Sequence, residues 1–442
     1  MGAMDPSALP PLDLPGVPPR LLELLAASAG STRIALVGGA VRDLLLHRVH
    51  HDPWRGLPDL DLVVESDGAA LAAAPGLARR LAAGGEVRLQ SCREHGLYGT
   101  VEIELEFPAG NQASDPSGQP TLPTTYLLDV ATARQEHYPV PGENPVVRFG
   151  SLDDDLARRD FSINAMALVL ADRPTLLDPH GGQQDLRRRR LRFLHAGSVR
   201  DDPTRLVRAA RYSARLGFEL AETSREQVHA TLGSWPWDWR RGDPPEQAPP
   251  ALGTRLRMEL QLLLERECWP QALQALQDWG ALNLLDPALQ ADCCWRRRLR
   301  WAERFGLERM VALLAAAEAP LALAERLQLP HRQQRLLAAL QQLRALLAVH
   351  GSGQGPGGTG LRVADWTRLL EAPGLPPEAV ALALAAGIGP RRPLLRWWLR
   401  WRHLRCAITA ADLIAREGLR PGPALGSRLR QLRGELLDGE RF

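Results

Sequence analysis

Apolar positions along the chain follow two different rhythms, and the change falls near residue 200. Before that point, short runs rich in Val, Ile and Leu alternate with helix-like stretches; these runs are IALVGGAV, LDLVVE, GTVEIELEF and TYLLDVATA, and they are typical of β-strands. After it, Leu, Ala and Arg recur at helical spacing, as in RLRMELQLLLERE and HRQQRLLAALQQLRALLAVH. The pattern predicts an α+β head followed by an all-helical remainder.

Polar segments rich in Gly and Pro interrupt both halves. Residues 110–125 separate two predicted strands and are predicted to be a disordered hairpin tip, whereas residues 240–250 and 351–360 are predicted to be flexible loops in the helical half. The opening Met-Gly-Ala-Met-Asp-Pro resembles the remnant of an expression tag and is left out of the fold prediction. The expected segments are a tag and helical lead-in over 1–30, a head over 31–190, a neck over 191–270, a body over 271–350 and a tail over 361–442.

The composition is that of an ordinary soluble protein. The 442 residues are 45% hydrophobic and 24% charged, which suits two or more domains with cores of their own. No apolar run approaches the roughly 20 residues of a membrane span, and no signal peptide precedes the first predicted strand. The five cysteines lack Cys-x-x-Cys spacing, which favours a reducing compartment over a zinc ribbon or a disulfide framework. We therefore expect a cytoplasmic protein.

All 54 basic residues are arginine, because the chain contains no lysine. A Walker-type phosphate loop, a kinase-like active site and a pyridoxal Schiff base each depend on lysine, so these three classes of site are excluded. The formal net charge of +3 is too small to indicate a nucleic-acid-binding protein by itself.

The residues with the most evident catalytic potential lie directly after the first predicted strand. Gly38 and Gly39 lead from that strand into a helix, and such a turn places backbone N–H groups where a triphosphate binds. Arg42, in the first turn of the helix, has the length to reach a phosphate oxygen. Asp59 and Asp61 stand two positions apart on the next strand, so both side chains project to one face and can share a Mg²⁺ ion. Taken alone, two such acids are also typical of a solvated strand end.

These residues begin an ordered series of motifs. LVGGAVRDLLL and the Asp-x-Asp after it resemble motif A of the class II tRNA nucleotidyltransferase and bacterial poly(A) polymerase family, which belongs to the DNA polymerase β-like nucleotidyltransferases. The later motifs occur in the family's order, as RRDFSINA (158–165), DPHGGQQDL (178–186), DDPTRLVRAAR (201–211) and RLRMEL (255–260). Two positions depart from the usual pattern, since Ser162 replaces a threonine and Asp201 replaces a glutamate. The resemblance implies a polymerase β-like head with a mixed sheet, followed by an all-α neck, body and tail.

The resemblance also implies roles for the motif A residues. Gly38, Gly39 and Arg42 would hold the phosphates of the incoming nucleotide. Asp59 and Asp61 would hold two Mg²⁺ ions, of which one activates the attacking 3′-hydroxyl and the other screens the departing pyrophosphate.

Two further residues of the head are candidates for this site. Asp129, in LLDVATAR, lies on a later predicted strand and is the candidate third carboxylate, although a strand-end acid without a role explains it equally well. In motif B, Arg159 is expected either to contact the nucleotide or to brace Asp160.

Motif D offers a way to choose a base without a nucleic-acid template. Asp202 and Arg205 are three residues apart, so on a helix they would share one face. Their acceptor and donor match the amine and unprotonated ring nitrogen of cytosine and adenine, but not the carbonyl and ring N–H of guanine and uracil. The resemblance assigns this selecting role to the pair, whereas spacing alone would predict an Asp–Arg ion pair. Arg208 and Arg211 continue the same face as candidates for phosphate or ribose contacts.

A basic stretch near the C-terminus is a candidate for RNA binding. Residues 391–405 (RRPLLRWWLRWRHLR) hold six arginines and three tryptophans, and the interleaved part consists of Arg396, Trp397, Trp398, Arg400, Trp401 and Arg402. One interpretation is a phosphate clamp with a stacking platform for bases. The other is an amphipathic helix whose tryptophans fill a core.

The resemblance predicts a template-independent enzyme that adds C, A or both to the 3′ end of tRNA from CTP and ATP with Mg²⁺, without a membrane or an obligate protein partner. A poly(A) polymerase of the same family and a non-catalytic RNA-binding relic are the alternatives. Complete CCA-adding members carry a mobile loop before motif B; here the equivalent residues 135–156 hold three prolines and Arg148 as their only arginine. Because proline fixes φ, this loop is expected to be stiff, and both partial and complete CCA addition stay open.

Overall fold

The computed structural model describes residues 14–30, 32–56, 60–65, 73–95, 99–107, 124–171, 173–350 and 361–439. The chain divides into two compact units, Met1–Asp238 and Trp239–Phe442, and each contains buried apolar side chains of its own. The boundary between the units falls inside the segment expected to form the neck, residues 191–270.

The strands lie in the first unit. They are β1 (Ile34–Val37), β2 (Leu60–Val64), β3 (Arg88–His95), β4 (Thr100–Phe107), β5 (Thr124–Thr132), β6 (Arg134–His137), β7 (Val146–Phe149), β8 (Ala167–Val169), β9 (Thr175–Leu177), β10 (Arg190–Leu191) and β11 (Glu219–Leu220). The four strands predicted from the apolar runs are confirmed as β1, β2, β4 and β5. Of the strands that the apolar runs do not predict, β10 and β11 are two-residue segments that pair in parallel, and β11 lies beyond residue 200.

Seven of these strands form one mixed sheet in the order β3-β4-β5-β2-β1-β8-β9. Strands β2 and β5 run parallel to each other, and the other neighbouring pairs of this sheet are antiparallel. Every second residue of β4 is buried, because its Val, Ile, Leu and Phe side chains face the core while the residues between them face outward. The fold is therefore α+β with a mixed sheet, as predicted.

Helices of the first unit connect and cover the sheet. They are α1 (Pro19–Ala29), α2 (Gly39–His50), α3 (Ala73–Ala83), α4 (Leu152–Ala157), α5 (Gly182–Arg187), α6 (Ser198–Asp201), α7 (Thr204–Leu216) and α8 (Glu222–Ser234). Helix α4 begins with a capping box, in which the Ser151 side chain accepts from the Asp154 amide and the Asp154 carboxylate accepts from the Ser151 amide.

Residues 135–156, which the sequence suggests as a stiff loop, form a hairpin followed by a helix. Strands β6 and β7 pair antiparallel from Arg134↔Phe149 to His137↔Val146, and α4 follows directly. The amide of Gly142, in the turn between these strands, donates to the carbonyl of Asp201 at 3.1 Å. The turn is thereby bonded to the first residue of motif D.

The second unit is helical throughout the part that the structure describes. Its helices are α9 (Thr254–Arg266), α10 (Trp269–Asp278), α11 (Pro287–Ala291), α12 (Trp295–Arg304), α13 (Arg309–Leu314), α14 (Pro320–Arg326), α15 (His331–His350), α16 (Val363–Leu370), α17 (Pro377–Ala385), α18 (Arg391–Leu399), α19 (Ala410–Glu417) and α20 (Pro423–Asp438). None of the helices in the described ranges combines the length and the apolar character needed to cross a bilayer. The five cysteines are free thiols.

The three predicted loops have different outcomes. Residues 240–250 are held by hydrogen bonds, since Trp239 Nε1 donates to the Pro244 carbonyl at 3.1 Å and the Arg240 amide donates to Asp243 at 2.7 Å. These bonds and a short 3₁₀ turn give the predicted loop a defined backbone, and its flexibility stays a prediction. Residues 351–360 and 110–123 lie outside the described residues, and the last two residues of the predicted 110–125 insertion belong to β5.

Candidate active site and RNA interface

The glycine turn between β1 and α2 brings motifs A and B together. Gly38 has φ of +68°, a conformation that favours glycine, and α2 begins at the next residue. A Cβ atom added to Gly38 would lie 3.1 Å from Nη1 of Arg159 and 3.5 Å from Oδ2 of Asp61. Gly38 is therefore required both by its backbone conformation and by the close approach of a cation and a carboxylate.

Two acidic residues meet on the central strands. Asp61 on β2 is the register partner of Asp129 on the parallel strand β5, so both side chains project from the same face, and both are half-buried. Asp129 is also the register partner of Glu102 on β4. The structure thus brings the candidate third carboxylate beside Asp61.

Asp59, predicted as a metal ligand together with Asp61, lies outside the described residues. Within the described ranges, no group of three or more His, Cys, Asp or Glu side chains is arranged to hold a metal ion. Two neighbouring carboxylates, both partly open to solvent, are nevertheless ligands of the type that a hard divalent cation prefers.

Arg159 is braced by an aspartate that the sequence reasoning did not select. Its Nε and Nη2 donate to Oδ2 of Asp155 at 3.2 and 2.9 Å. The alternative prediction, that Arg159 braces Asp160, is therefore wrong, because α4 presents Asp155 four residues earlier on the same helical face. Burial would raise the pKa of Asp155, but the charges of Arg159 and Arg158 outweigh it and hold that pKa below its ordinary value.

Arg42 is turned into the protein. Its side chain is 4% exposed, and its guanidinium donates to Asp43 at 2.8 Å and to Oδ1 of Asn164 at 2.9 Å. The expectation that Arg42 reaches a phosphate oxygen does not agree with this position, because the nearby Asp43 and Asn164 draw the guanidinium inward.

The Arg42 contact is the first of a chain of hydrogen bonds from motif A to motif D. Asn164 Nδ2 donates to Oδ1 of Asp160 at 3.1 Å, and Arg208 Nε donates to Oδ2 of the same carboxylate at 2.8 Å. Burial would raise the pKa of Asp160, but Arg208 and the Asn164 hydrogen bond lower it below its ordinary value. Arg208, predicted as a phosphate or ribose contact, is thus the brace of Asp160 and keeps 39% of its side chain exposed.

The two proposed base-selecting residues do not share a helical face. Asp202 lies between α6 and α7 with φ of −143° and ψ of 93°, and its carboxylate accepts from the Thr204 amide at 3.1 Å at the start of α7. The predicted helical spacing is wrong, because the residue before a proline, here Pro203, is pushed towards extended backbone. The two residues remain close, since the Arg205 amide donates to the Asp202 carbonyl at 3.1 Å.

The Arg205 guanidinium is buried and held by three acceptors. It donates to the carbonyls of Ser198 at 3.3 Å and Arg158 at 3.1 Å, and its Nη1 lies 3.4 Å from Nε2 of His195. Burial, followed by the charge of Arg205, lowers the pKa of His195, so the neutral imidazole that accepts this bond is favoured. Sequence reasoning missed His195, which precedes motif D and has no spacing signature. Arg211, the last predicted residue of motif D, lies half-exposed on α7.

Residues of motif C pack against motif B and form a hydrogen bond with it. The Asp178 carboxylate accepts from the amides of Gly182 and Gln183, the first two residues of α5, at 2.6 and 2.9 Å. A Cβ on Gly182 would lie 2.4 Å from the carbonyl oxygen of Ser162, so only glycine allows this approach. The Ser162 hydroxyl donates to Asp185 at 2.6 Å.

In the second unit, the three tryptophans of residues 391–405 have different surroundings. Trp397 and Trp401 are 2% and 1% exposed and belong to the core, so a stacking platform made of all three is wrong. Trp397 and Trp401 are four residues apart, so both side chains lie on the side of this segment that faces the core. The side chain of Trp398 lies on a different side and is half-buried. Arg396 and Arg400 are exposed, as a phosphate clamp requires.

Trp398 borders a cavity of about 990 Å³. The Arg402 guanidinium lies 3.7 Å from the centre of the Trp398 ring, and Phe305 meets the same ring edge-on at 5.4 Å. Two more arginines, Arg332 and Arg335, line this cavity. It combines an aromatic face with cations, which is the composition of a site for a nucleobase and its phosphate.

Known proteins are similar to this chain in the head, and some of the alignments extend into the helical half. Residues 34–192 match the family model of the poly A polymerase head domain. Over 331 residues the chain is 38% identical to a CC-adding tRNA nucleotidyltransferase of Deinococcus radiodurans, and the alignment covers 72% of this chain and 73% of that protein. Over 218 residues it is 38% identical to an A-adding tRNA nucleotidyltransferase of Halalkalibacterium halodurans, covering 48% of this chain and 43% of that protein.

Solved structures resemble the fold. A CCA-adding enzyme in apo form II superposes with a TM-score of 0.65 at 23% identity and covers 96% of this chain and 94% of that chain. The Thermotoga maritima CCA-adding enzyme complexed with tRNA-CCA gives a TM-score of 0.62 at 22% identity, over 96% and 93% of the two chains.

Proposed function

The chain belongs to the family of tRNA nucleotidyltransferases and bacterial poly(A) polymerases, and we propose that it extends the 3′ end of tRNA with C, A or both, using CTP and ATP. The observation that carries this proposal is the pairing of Asp61 with Asp129 on adjacent parallel strands, next to the Gly38 turn and Arg159. Carboxylates beside a glycine turn and a cation are what transfer of a nucleotidyl group needs, since the triphosphate carries several negative charges.

Mg²⁺ is the cation proposed for this site. Asp61 and Asp129 would hold it together with Asp59, and the bound metal would stabilise the charge that develops as pyrophosphate leaves. Arg159, aimed at the Gly38 turn, would bind and orient the triphosphate. Gly38 and Gly39 would leave room for it beside the N-terminus of α2.

Base selection is proposed for Asp202 and Arg205. Arg205 is oriented by the carbonyls of Ser198 and Arg158, and Asp202 is oriented by its bond to the Thr204 amide. An acceptor and a donor fixed in this way would favour cytosine and adenine over guanine and uracil, because the latter present mismatched groups. Arg208 and Arg211 would contribute positive charge on the same helix.

RNA binding by the second unit is proposed for the exposed arginines Arg396 and Arg400 and for the cavity beside Trp398 and Arg402. Arginine contacts to phosphates supply affinity without sequence preference, and the half-buried Trp398 ring would supply a stacking surface. The large cavity is compatible with a single unstacked nucleotide of the tRNA.

Addition of CC alone is the extent of reaction that we favour. The alignment with the CC-adding relative spans 331 residues and reaches far into the helical half, whereas the one with the A-adding relative spans 218. The hairpin of β6 and β7 is tied to Asp201 by the Gly142 amide, so the lever motion that helps a site switch from C to A would first have to break that bond.

The test uses tRNA transcripts that end before, within and after CCA. Purified protein is given each NTP separately and then CTP with ATP, and products are resolved at single-nucleotide resolution. Stopping after two cytidines supports CC addition, a full CCA end supports complete addition, and extension only of tRNA ending in CC supports A addition. Long adenosine tails on generic RNA would instead indicate a poly(A) polymerase, and no pyrophosphate release with any substrate would indicate a non-catalytic RNA-binding protein.

A further inference from the structure

We propose that Asp155 is a positioning residue of the nucleotidyl-transfer site, acting through Arg159. Its carboxylate fixes the Arg159 guanidinium so that one edge faces the Gly38 turn and Asp61. The proposal rests on the proposed function and adds a residue that belongs to none of the recognised motifs.

Both carboxylate oxygens of Asp155 accept hydrogen bonds from arginine side chains, those of Arg158 and Arg159. The Asp155 side chain is 0% exposed. Oδ2 accepts from Arg159 at 3.2 and 2.9 Å, and Oδ1 accepts from Nε and Nη2 of Arg158 at 3.0 and 2.6 Å. A fully buried carboxylate persists only when such charged donors satisfy it, so both arginines are held as firmly as the carboxylate is.

The two hydrogen bonds from Arg159 to Asp155 determine which guanidinium nitrogen of Arg159 faces the site. Because Nε and Nη2 bind Asp155, Nη1 is the nitrogen that lies against the glycine turn, 3.1 Å from where a Cβ of Gly38 would be. The same added Cβ would be 3.5 Å from Oδ2 of Asp61. Without Asp155, Arg159 would be able to rotate towards Asp61, where its charge would compete with a metal ion for that carboxylate.

The helix that carries Asp155 is itself anchored to the catalytic strand. Glu65, the residue after β2, accepts from the Leu152 amide at the start of α4 at 2.8 Å. At the other end, Arg158 donates to Glu136 on β6 at 2.9 Å, and its carbonyl accepts from Arg205. Asp155 therefore orients Arg159 from a helix whose two ends are tied to the metal-site strand and to the base-selecting residue.

The alternative is that Asp155 and its two arginines form a buried ion-pair cluster that only stabilises the fold. A structural role and a positioning role differ in what a double-mutant cycle gives. If Asp155 acts through Arg159, its loss costs little more once Arg159 is gone; if it only stabilises the fold, the two losses add.

The experiment compares Asp155→Asn, Arg159→Ala and the double variant in the full-length chain. Asp292→Asn is the matched control, because Asp292 is a mostly buried carboxylate that accepts from Arg298 in the other unit. The readouts are KM and kcat for CTP and ATP on tRNA, the Mg²⁺ concentration that gives half-maximal rate, and the Kd of a non-hydrolysable CTP analogue with Mg²⁺. Far-UV circular dichroism and tRNA affinity report folding.

We expect Asp155→Asn to raise KM for the nucleotide and the Kd of the analogue about tenfold, and to raise the Mg²⁺ requirement, with tRNA affinity unchanged. The double variant should match Arg159→Ala, and Asp292→Asn should match wild type. Unchanged KM and Kd in Asp155→Asn, or additive effects in the double variant, would overturn the proposal. If Asp155→Asn fails to fold, Asp155→Glu replaces it, since its longer side chain keeps the charge but displaces Arg159; wild-type Kd in that variant would equally overturn it.

These outcomes separate this proposal from the proposed function. If the wild-type protein adds nothing to tRNA, the proposed function fails, but the analogue Kd still reports whether Asp155 orients Arg159. If the wild type adds nucleotides and Asp155→Asn binds the analogue normally, only the role of Asp155 fails.

Discussion

Asp61 and Asp129 are register partners on two parallel strands, although they stand 68 positions apart in the chain. Their side chains project from the same face at the same level of the sheet. A carboxylate from an early motif and one from a segment without a motif are thereby brought to one place.

The first prediction concerns these carboxylates. Asp61→Ala or Asp129→Ala, like Asp59→Ala, should abolish nucleotide addition and leave tRNA affinity nearly unchanged, because a lost metal ligand removes chemistry and not phosphate contacts. The measurement is single-turnover addition of CTP together with a tRNA filter-binding assay. Glu102→Gln, next to Asp129 on β4, is the comparison, and near-wild-type turnover in Asp61→Ala would remove this site from consideration.

A second prediction concerns Gly38. Gly38→Ala should reduce activity strongly, because the backbone of Gly38 (φ of +68°, ψ of −129°) costs an alanine about 1–3 kcal/mol and the added Cβ would press on Arg159. Gly30→Ala meets nearly the same backbone penalty, since Gly30 has φ of +66° and ψ of −123°, but nothing lies within 4 Å of its added Cβ. We expect similar losses in thermal stability for the two variants and loss of nucleotide addition only for Gly38→Ala. Equal activities would show that the close approach at Gly38 has no catalytic importance.

Base choice gives a third prediction. Asp202→Ala should relax discrimination against UTP and GTP, because the acceptor that penalises a base carbonyl is gone, whereas Arg205→Ala should mainly weaken CTP and ATP. Loss of one hydrogen bond to a charged group weakens binding of the nucleotide by a free energy of about 1.5–3 kcal/mol. The ratios of kcat/KM for the four nucleotides measure this. Full selectivity in both variants would place base choice elsewhere.

The fourth prediction is a pH effect through His195, which is faced by Arg205, Asp201 and Arg200. Its pKa is lowered in the folded protein, so the unfolded chain binds the proton at higher pH, and stability falls as the pH drops through the ordinary histidine value of about 6.5 towards the lowered one. When the pH reaches the lowered pKa, His195 of the folded protein becomes protonated, and the imidazolium should repel Arg205 and raise KM for CTP. His195→Gln should flatten this part of the KM profile, since its amide oxygen accepts without titrating. A profile unaffected by the substitution would exclude His195 as its cause.

The fifth prediction tests the second unit. Trp398→Ala should weaken tRNA binding by about 1–3 kcal/mol, the value of one base stacked on an aromatic ring. Leu399→Ala removes an exposed side chain of the same helix that does not line the cavity, and tRNA binding should be unaffected. Equilibrium binding at two salt concentrations measures both, because stacking depends on salt less than phosphate contacts do.

The sequence predicted those parts of the fold that bury apolar side chains at a regular period. Strands β1, β2, β4 and β5 follow from their Val, Ile and Leu content, but β3 does not, because RLQSCREH is an edge strand with every residue at least partly exposed. The position of Asp202 could have been predicted, since Pro203 follows it. The inward turn of Arg42 could not, because its partner Asn164 is 122 residues away.

The buried position of Asp155 could not be predicted from the sequence pattern alone. Asp155 is the third of three consecutive aspartates in LDDDLA, and composition cannot tell them apart. Helix geometry can: Asp153 is exposed, Asp154 closes the capping box, and Asp155 turns inward beneath two arginines. The role of each depends on a rotation of about 100° per residue, which follows from knowing where the helix begins.

The chain of bonds from Arg42 through Asn164 and Asp160 to Arg208 has a consequence for chimeric proteins. Its members come from three separate motifs and must be inherited from one parent, because a mismatched partner would leave a buried charge without its counterpart. A crossover between residues 165 and 204 would divide them. A crossover at the boundary after Asp238 keeps them together, and is the junction at which helical units from relatives with other tRNA products can be exchanged.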